Sequence, residues 1–133
     1  MKLALDYAVV CDAVRREDNG KLIFIGVYGR HIGLRRFPAD LSLSLAVRLF
    51  ADEPGEMDLE FRCVPEGAPP SDIRKGHLVV AESGATLFAV PNLVIMELSP
   101  ETTLNFQWRT VPNEDWETIA SIPVTTSKRA KTE

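Results

Sequence analysis

The 133-residue chain predicts an all-β protein built as an antiparallel β-sandwich of seven to eight strands. Three observations carry that expectation. Apolar residues alternate with polar ones at period two in residues 41–49, 57–63 and 104–108, the signature of strands with one face in a core and one in water. Turn signals separate these segments at short intervals. No segment sustains helical periodicity over about eleven residues. A chain of this length buries a core large enough to stand without a disulfide or metal staple. With 45% hydrophobic and 26% charged residues, its composition is that of a globular domain.

Along the chain, Leu3, Leu5, Tyr7, Val9, Cys11 and Ala13 fall at alternate positions and read as one face of a long first strand. Glu17-Asp18-Asn19-Gly20 follows, and its Asn-Gly pair supplies the left-handed conformations of a tight hairpin turn. Residues 21–28 are apolar on both faces, which predicts a central strand. Residues 30–36 form a long Arg-rich loop, in which a short helical turn at 34–39 is the most that the pattern allows. Leu43, Leu45, Val47 and Leu49 then alternate with Ser42, Ser44, Ala46 and Arg48. The turn Asp52-Glu53-Pro54-Gly55 leads into Met57, Leu59, Phe61 and Cys63 at alternate positions.

Residues 65–71 are a Pro/Gly-rich loop within the same domain. Residues 72–82 and 85–98 read as two further strands around Ser83-Gly84. The second carries Pro91-Asn92; proline lacks an amide for the ladder, so a bulge, an edge position or a break is expected there. Leu104, Phe106 and Trp108 mark the penultimate strand. The turn Pro112-Asn113-Glu114-Asp115 then leads into residues 116–126 as the last. One domain covers residues 1–126, and residues 127–133, polar and without an apolar anchor, are expected to be a disordered tail.

Residues 6–12 (Asp-Tyr-Ala-Val-Val-Cys-Asp), residues 19–28 (Asn-Gly-Lys-Leu-Ile-Phe-Ile-Gly-Val-Tyr), Phe37-Pro38 and the alternating strand after it resemble a family of small uncharacterised bacterial proteins. The resemblance is densest in the first half of the chain, with a looser echo at Asn92-Leu93. It implies an immunoglobulin-like β-sandwich of unknown function. Its motifs are structural, a strand, a tight turn and a partner strand, and it carries over no catalytic residue. Where that family opens its penultimate strand with Gly-x-Tyr, this chain has Thr102-Thr103-Leu104.

No apolar run approaches the ~20 residues that span a bilayer. Asp6 interrupts the apolar start, and Val10 stands before Cys11 where a lipid-acceptor cysteine would follow a small residue, so the start reads as mature protein. Cys11 and Cys63 lack metal or redox spacing and read as reduced, buried thiols of a cytoplasmic protein. Trp108 and Trp116 both follow Cys63, unlike the tryptophan between paired cysteines of an immunoglobulin domain.

For chemistry, His31 and His77 show no HxH or HExxH spacing, and no nucleophile elbow or phosphate-cradling glycine loop occurs. No catalytic, cofactor-binding or metal-ligating residue is therefore assigned. Phe106 and the tryptophans fit a core better than a ligand strip. Net charge is −4, unevenly placed. Residues 1–50 hold 8 basic and 5 acidic side chains, residues 51–120 hold 4 and 13, and residues 121–133 hold 3 and 1. If successive strands alternate in direction, Glu17-Asp18, Asp52-Glu53-Glu56, Glu82 and Glu114-Asp115 gather at one end of the sandwich. The Arg30–Arg36 stretch then lies at the other with residues 65–71 and 99–101. The acidic end lacks the spaced Asp-x-Asp of a calcium loop. Arg30, His31, Arg35, Arg36 and Phe37 are the candidate contacts for an anionic partner, since arginine forks match carboxylate and phosphate. A protein is the expected partner, nucleic acid being disfavoured on an acidic chain with one short basic loop. The expected role is a non-enzymatic binding or assembly module, including self-association through a sheet edge. The alternative is a ligand- or metal-binding protein or an enzyme using loops at one end of the sandwich.

Overall fold

A computed structural model describes residues 1–111 and 113–127. Nine strands and no helix occur among them: β1 (Leu3–Arg16), β2 (Leu22–Val27), β3 (Ile32–Leu34), β4 (Ala39–Ala51), β5 (Gly55–Pro65), β6 (Arg74–Val80), β7 (Gly84–Leu98), β8 (Thr102–Thr110) and β9 (Glu117–Thr126). They form a four-stranded sheet, β2-β1-β4-β7, and a five-stranded sheet, β3-β9-β8-β5-β6. Residues from both sheets make up one core, in which Leu45, Leu49, Leu59, Phe61, Leu93, Leu104 and Phe106 are fully buried. The sheets meet ring to ring, with Phe61 of β5 stacked on Phe88 of β7 at 5.7 Å between centroids. Each such side chain contributes about 1.5–3 kcal/mol on burial.

Four expectations change on contact with this topology. The count rises to nine because the Arg-rich stretch contains a strand, β3, held by a fully buried Ile32. β3 runs parallel to β9, with Ile32 opposite Val124 and Leu34 opposite Thr126, so the sandwich is not wholly antiparallel. β2 stands at an edge rather than at the centre. The strand buried on both faces is β4, where Leu43 through Val47 are all inaccessible. Its outward residues Ser44 and Ala46 are small enough to be covered by their neighbours. The Ser44 hydroxyl donates to the Asp12 carbonyl (3.4 Å), and the Ser44 carbonyl accepts from the Cys11 thiol (3.7 Å).

A register shift between Leu5 and Tyr7 breaks the single face read for β1. Leu3, Leu5 and Ala8 pack on the core, and Val10 is buried within it, while Tyr7 turns outward. At Pro91-Asn92, β7 combines two of the expected solutions. It is an edge strand, and its pairing with β4 skips there, from Leu93 opposite Leu43 to Val90 opposite Leu45. Both cysteines are free and buried. Cys63 lies in the core, where burial pushes its thiol up to about 12. The Ser127 amide donates to the Leu34 carbonyl (2.7 Å); the rest of the expected tail, residues 128–133, lies outside the described residues.

Candidate interaction surface

Cross-strand partners share a face of a sheet, so the register decides which way each exposed apolar side chain points. In the four-stranded sheet Tyr7 and Leu87 both pair with Arg48, Val94 pairs with Ser42, and Val27 pairs with Cys11, itself opposite Ser44. Residues 42, 44, 48 and 50 of β4 lie on one side, away from the core leucines at 43, 45 and 49. Ile23 and Ile25 follow Val27 at alternate positions. Met96 lies across from the buried Ile95 in the same alternation. Eight exposed large apolar residues, Tyr7, Ile23, Ile25, Val27, Phe50, Leu87, Val94 and Met96, therefore project from the outer face of this one sheet, each 40–60% accessible. In their midst Arg48 pairs with Asp6 (2.5 Å) and lies 5.0 Å over the Phe50 ring.

The outer face of the five-stranded sheet is built in the opposite way. Arg109 donates to Glu60 (2.7 Å), Arg62 to Gln107 (2.8 Å), Gln107 to Thr118 (3.2 Å) and Ser121 to Asn105 (2.7 Å). Trp116 is clasped between the Arg62 and Arg109 guanidiniums, each 4.2 Å from its ring. His77 bridges Asp58 (2.7 Å) and Glu56 (3.3 Å), and the hydrogen bond to Asp58, then that to Glu56, raises its pKa above the usual histidine value. A sheet face left in water is ordinarily polar. The second sheet follows that rule and the first departs from it.

Two open clefts flank these faces. One, of about 400 Å³, runs beside Asp58, Glu60, Lys75, Gly76 and His77. The Asp58 and Glu56 carboxylates beside the His77 imidazole favour its protonated form. The other, of about 440 Å³, is lined by Arg16, Gly20, Lys21 and Leu22 together with Arg48 and Leu87. In a straight continuation of β1, Arg16 would lie about 30 Å from Leu87 at ~3.3 Å per residue. β1 therefore bends between Tyr7 and Arg16, bringing its hairpin toward Arg48 and Leu87.

The residues expected to meet an anionic partner are divided by β3. Arg30 and His31 are exposed before it and Arg35 and Arg36 after it, while Phe37 is half-buried against the core. Asp52, Glu53, Glu56, Glu82, Glu114 and Asp115 share one end, since Ala51 pairs with both Leu3 and Gly84, Gly55 pairs with Val80, and the Val111 amide donates to the Asp58 carbonyl. Asp52 and Glu53 there accept from the Lys2 amide (2.6 Å) and the Met1 amine (2.7 Å). Glu17-Asp18 follows the end of β1 away from Leu3 and is not held in that group by these pairings. Among the described residues no group of three or more His, Cys, Asp or Glu side chains is placed to hold a metal ion, and no helix is long and apolar enough to cross a membrane.

Sequence reasoning missed the apolar outer face. Its one visible signal in the sequence is the two-sided apolar pattern of residues 21–28, which fits burial inside a sheet equally well. The profile of a family of unknown function (DUF6941) matches residues 6–125. No curated protein matches the chain.

Proposed function

The chain belongs to DUF6941, a family of unknown function, and from that premise we propose that it is a non-enzymatic binding or assembly module. In this reading it is an immunoglobulin-like sandwich of the bacterial cytoplasm, and it engages protein through the outer face of its four-stranded sheet. One observation carries the reading: eight large apolar side chains lie on one sheet face while the other sheet turns mainly hydrogen-bonded and charged side chains outward. Contiguous exposed apolar surface on the order of several hundred Å² marks interaction sites in soluble proteins. The two buried, unpaired thiols support a reducing compartment. A narrower second contact with an anionic partner, through Arg30, His31, Arg35, Arg36 and Phe37, is supported by the exposure of the four basic side chains.

Because the native thiols are buried, a surface cysteine can be labelled selectively with a photo-crosslinker. In cells of the native host, Met96→Cys is expected to crosslink to a protein partner, and the charge of an added Leu87→Lys to abolish that product. Lys75→Cys, on the polar face, is expected to give none. With the identified partner purified, Leu87→Lys should weaken binding by about tenfold or more. Equal crosslinking from both faces, or none from Met96→Cys, would overturn the reading.

A further inference from the structure

We propose that two copies of this chain pair antiparallel along β2, joining their four-stranded sheets across a two-fold axis into one sheet of eight. The proposal rests on the assembly reading above and deepens it by naming a partner, a second copy, and the edge that receives it. β2 ends its sheet, with β1 on one side. A strand in that position offers a row of unpaired amides and carbonyls on the other side.

Folded chains blunt such edges with charge, proline, bulges or short length, and the remaining three edges of this fold are blunted. β3 has three residues. β6 carries Arg74, Lys75 and His77 among its seven. β7 is interrupted by its register shift at Pro91, and there Nε and Nη2 of Arg74 donate to the Asn92 carbonyl at 3.0 and 2.7 Å. In contrast, β2 reads Leu-Ile-Phe-Ile-Gly-Val, without charge or proline and without a register shift against β1. An uncharged six-residue strand of this kind is the pattern that recruits another strand.

A second copy is favoured as the occupant by the opposite charges at the two ends of the segment. In an isologous two-fold contact each residue i meets j and each j meets i, and Ile23-Phe24-Ile25 fills such a contact with apolar side chains only. A two-fold axis at Phe24 sets Ile23 of one copy opposite Ile25 of the other and Phe24 opposite its own counterpart. Lys21 then faces the uncharged Val27. β2 is preceded by the acidic turn residues Glu17 and Asp18 and followed by Arg30 and His31. Antiparallel pairing brings the acidic turn of each copy beside the basic end of the other, twice over. Parallel pairing would set like against like. Arg15 and Arg16 belong to β1, one strand farther from the axis. The joined sheets would present their apolar outer faces side by side, so the contact extends the surface assigned to protein binding.

The test is sedimentation of the purified full chain over about a hundredfold dilution series. The wild-type protein is expected to move from monomer to twice the monomer mass as concentration rises, and amide exchange over residues 22–27 to slow with it. Ile25→Lys is expected to stay monomeric with an unchanged circular dichroism spectrum, whereas Val79→Lys on the second sheet dimerises normally. Asp18→Arg should weaken the dimer by about tenfold, and the swap Asp18→Arg/Arg30→Asp should restore it. A wild-type monomer at every concentration, or a dimer as tight in Ile25→Lys as in wild type, overturns the pairing. A monomer that still crosslinks to another protein through Met96→Cys removes the pairing and leaves the binding reading standing.

Discussion

Gly76 lies on β6 beneath Phe88, and a Cβ built on it would stand 2.3 Å from the ring's Cζ. The ring cannot swing aside freely because it is stacked on Phe61, 15° from parallel. Gly76→Ala is therefore expected to destabilise the fold by about 1–3 kcal/mol through overpacking, read as a lower denaturant midpoint at unchanged slope. Gly29→Ala, with no atom within 4 Å of its built Cβ, serves as the neutral control. His77 gives a pH prediction with a definite sign. Its pKa is raised above 6.5 chiefly by Asp58, so its stabilising contribution is fully present below that value. It is lost as pH rises through the higher folded value. Melting temperature should decline slightly between about pH 6 and 8. Asp58→Asn should reduce that slope, leaving the smaller effect of Glu56, and lower the midpoint of the His77 ring titration seen by NMR. The Asp58 to His77 pairing was invisible in sequence, since the two residues are cross-strand partners on β5 and β6 and nothing local links them.

At the scale of elements, β3 shows how three residues can redirect a fold. Ile32 is fully buried while Arg30, His31 and Gly33 are exposed, so Ile32, with a half-buried Leu34 beside it, anchors the strand to β9. Ile32→Ala is expected to cost about 2–5 kcal/mol and to expose the amides of residues 32–34 and 124–126 to exchange. The β5–β8 ladder should keep its protection, and a uniform loss across the molecule would contradict this anchoring role. Two apolar residues at alternate positions, Ile32 and Leu34, are too short an alternation to mark a strand within an Arg-rich stretch, so the pattern reads as a loop. By contrast, β4, β5 and β8 were legible because each alternates over six or more residues. β7 was legible down to its irregularity, because proline's missing amide acts locally. β2 was placed correctly along the chain and wrongly within the sheet. Its apolar residues on both sides fit burial between strands or burial by a second molecule, and periodicity cannot distinguish the two.

For the molecule as a whole, the net charge of −4 understates how unequally the surface is divided. One sheet turns hydrogen-bonded polar and charged side chains and an arginine-clasped tryptophan to water, and the other turns Tyr7, Phe50, Leu87, Val94 and Met96. Alone, the sequence determined where the strands and hairpin turns lie, that β7 is irregular at Pro91, and that both cysteines are withdrawn from solvent, because alternation, turn chemistry and proline act over a few neighbouring residues. Only the tertiary structure decided that β2 is an edge, that β3 exists and runs parallel to β9, and that the exposed apolar residues share one face. Those facts depend on pairing between residues such as Tyr7, Arg48 and Leu87, far apart in the chain, and on a one-residue register shift in β1 that turns Tyr7 outward. Period two says which residues share a side, and the register of the neighbouring strand decides whether that side meets core, water or another chain.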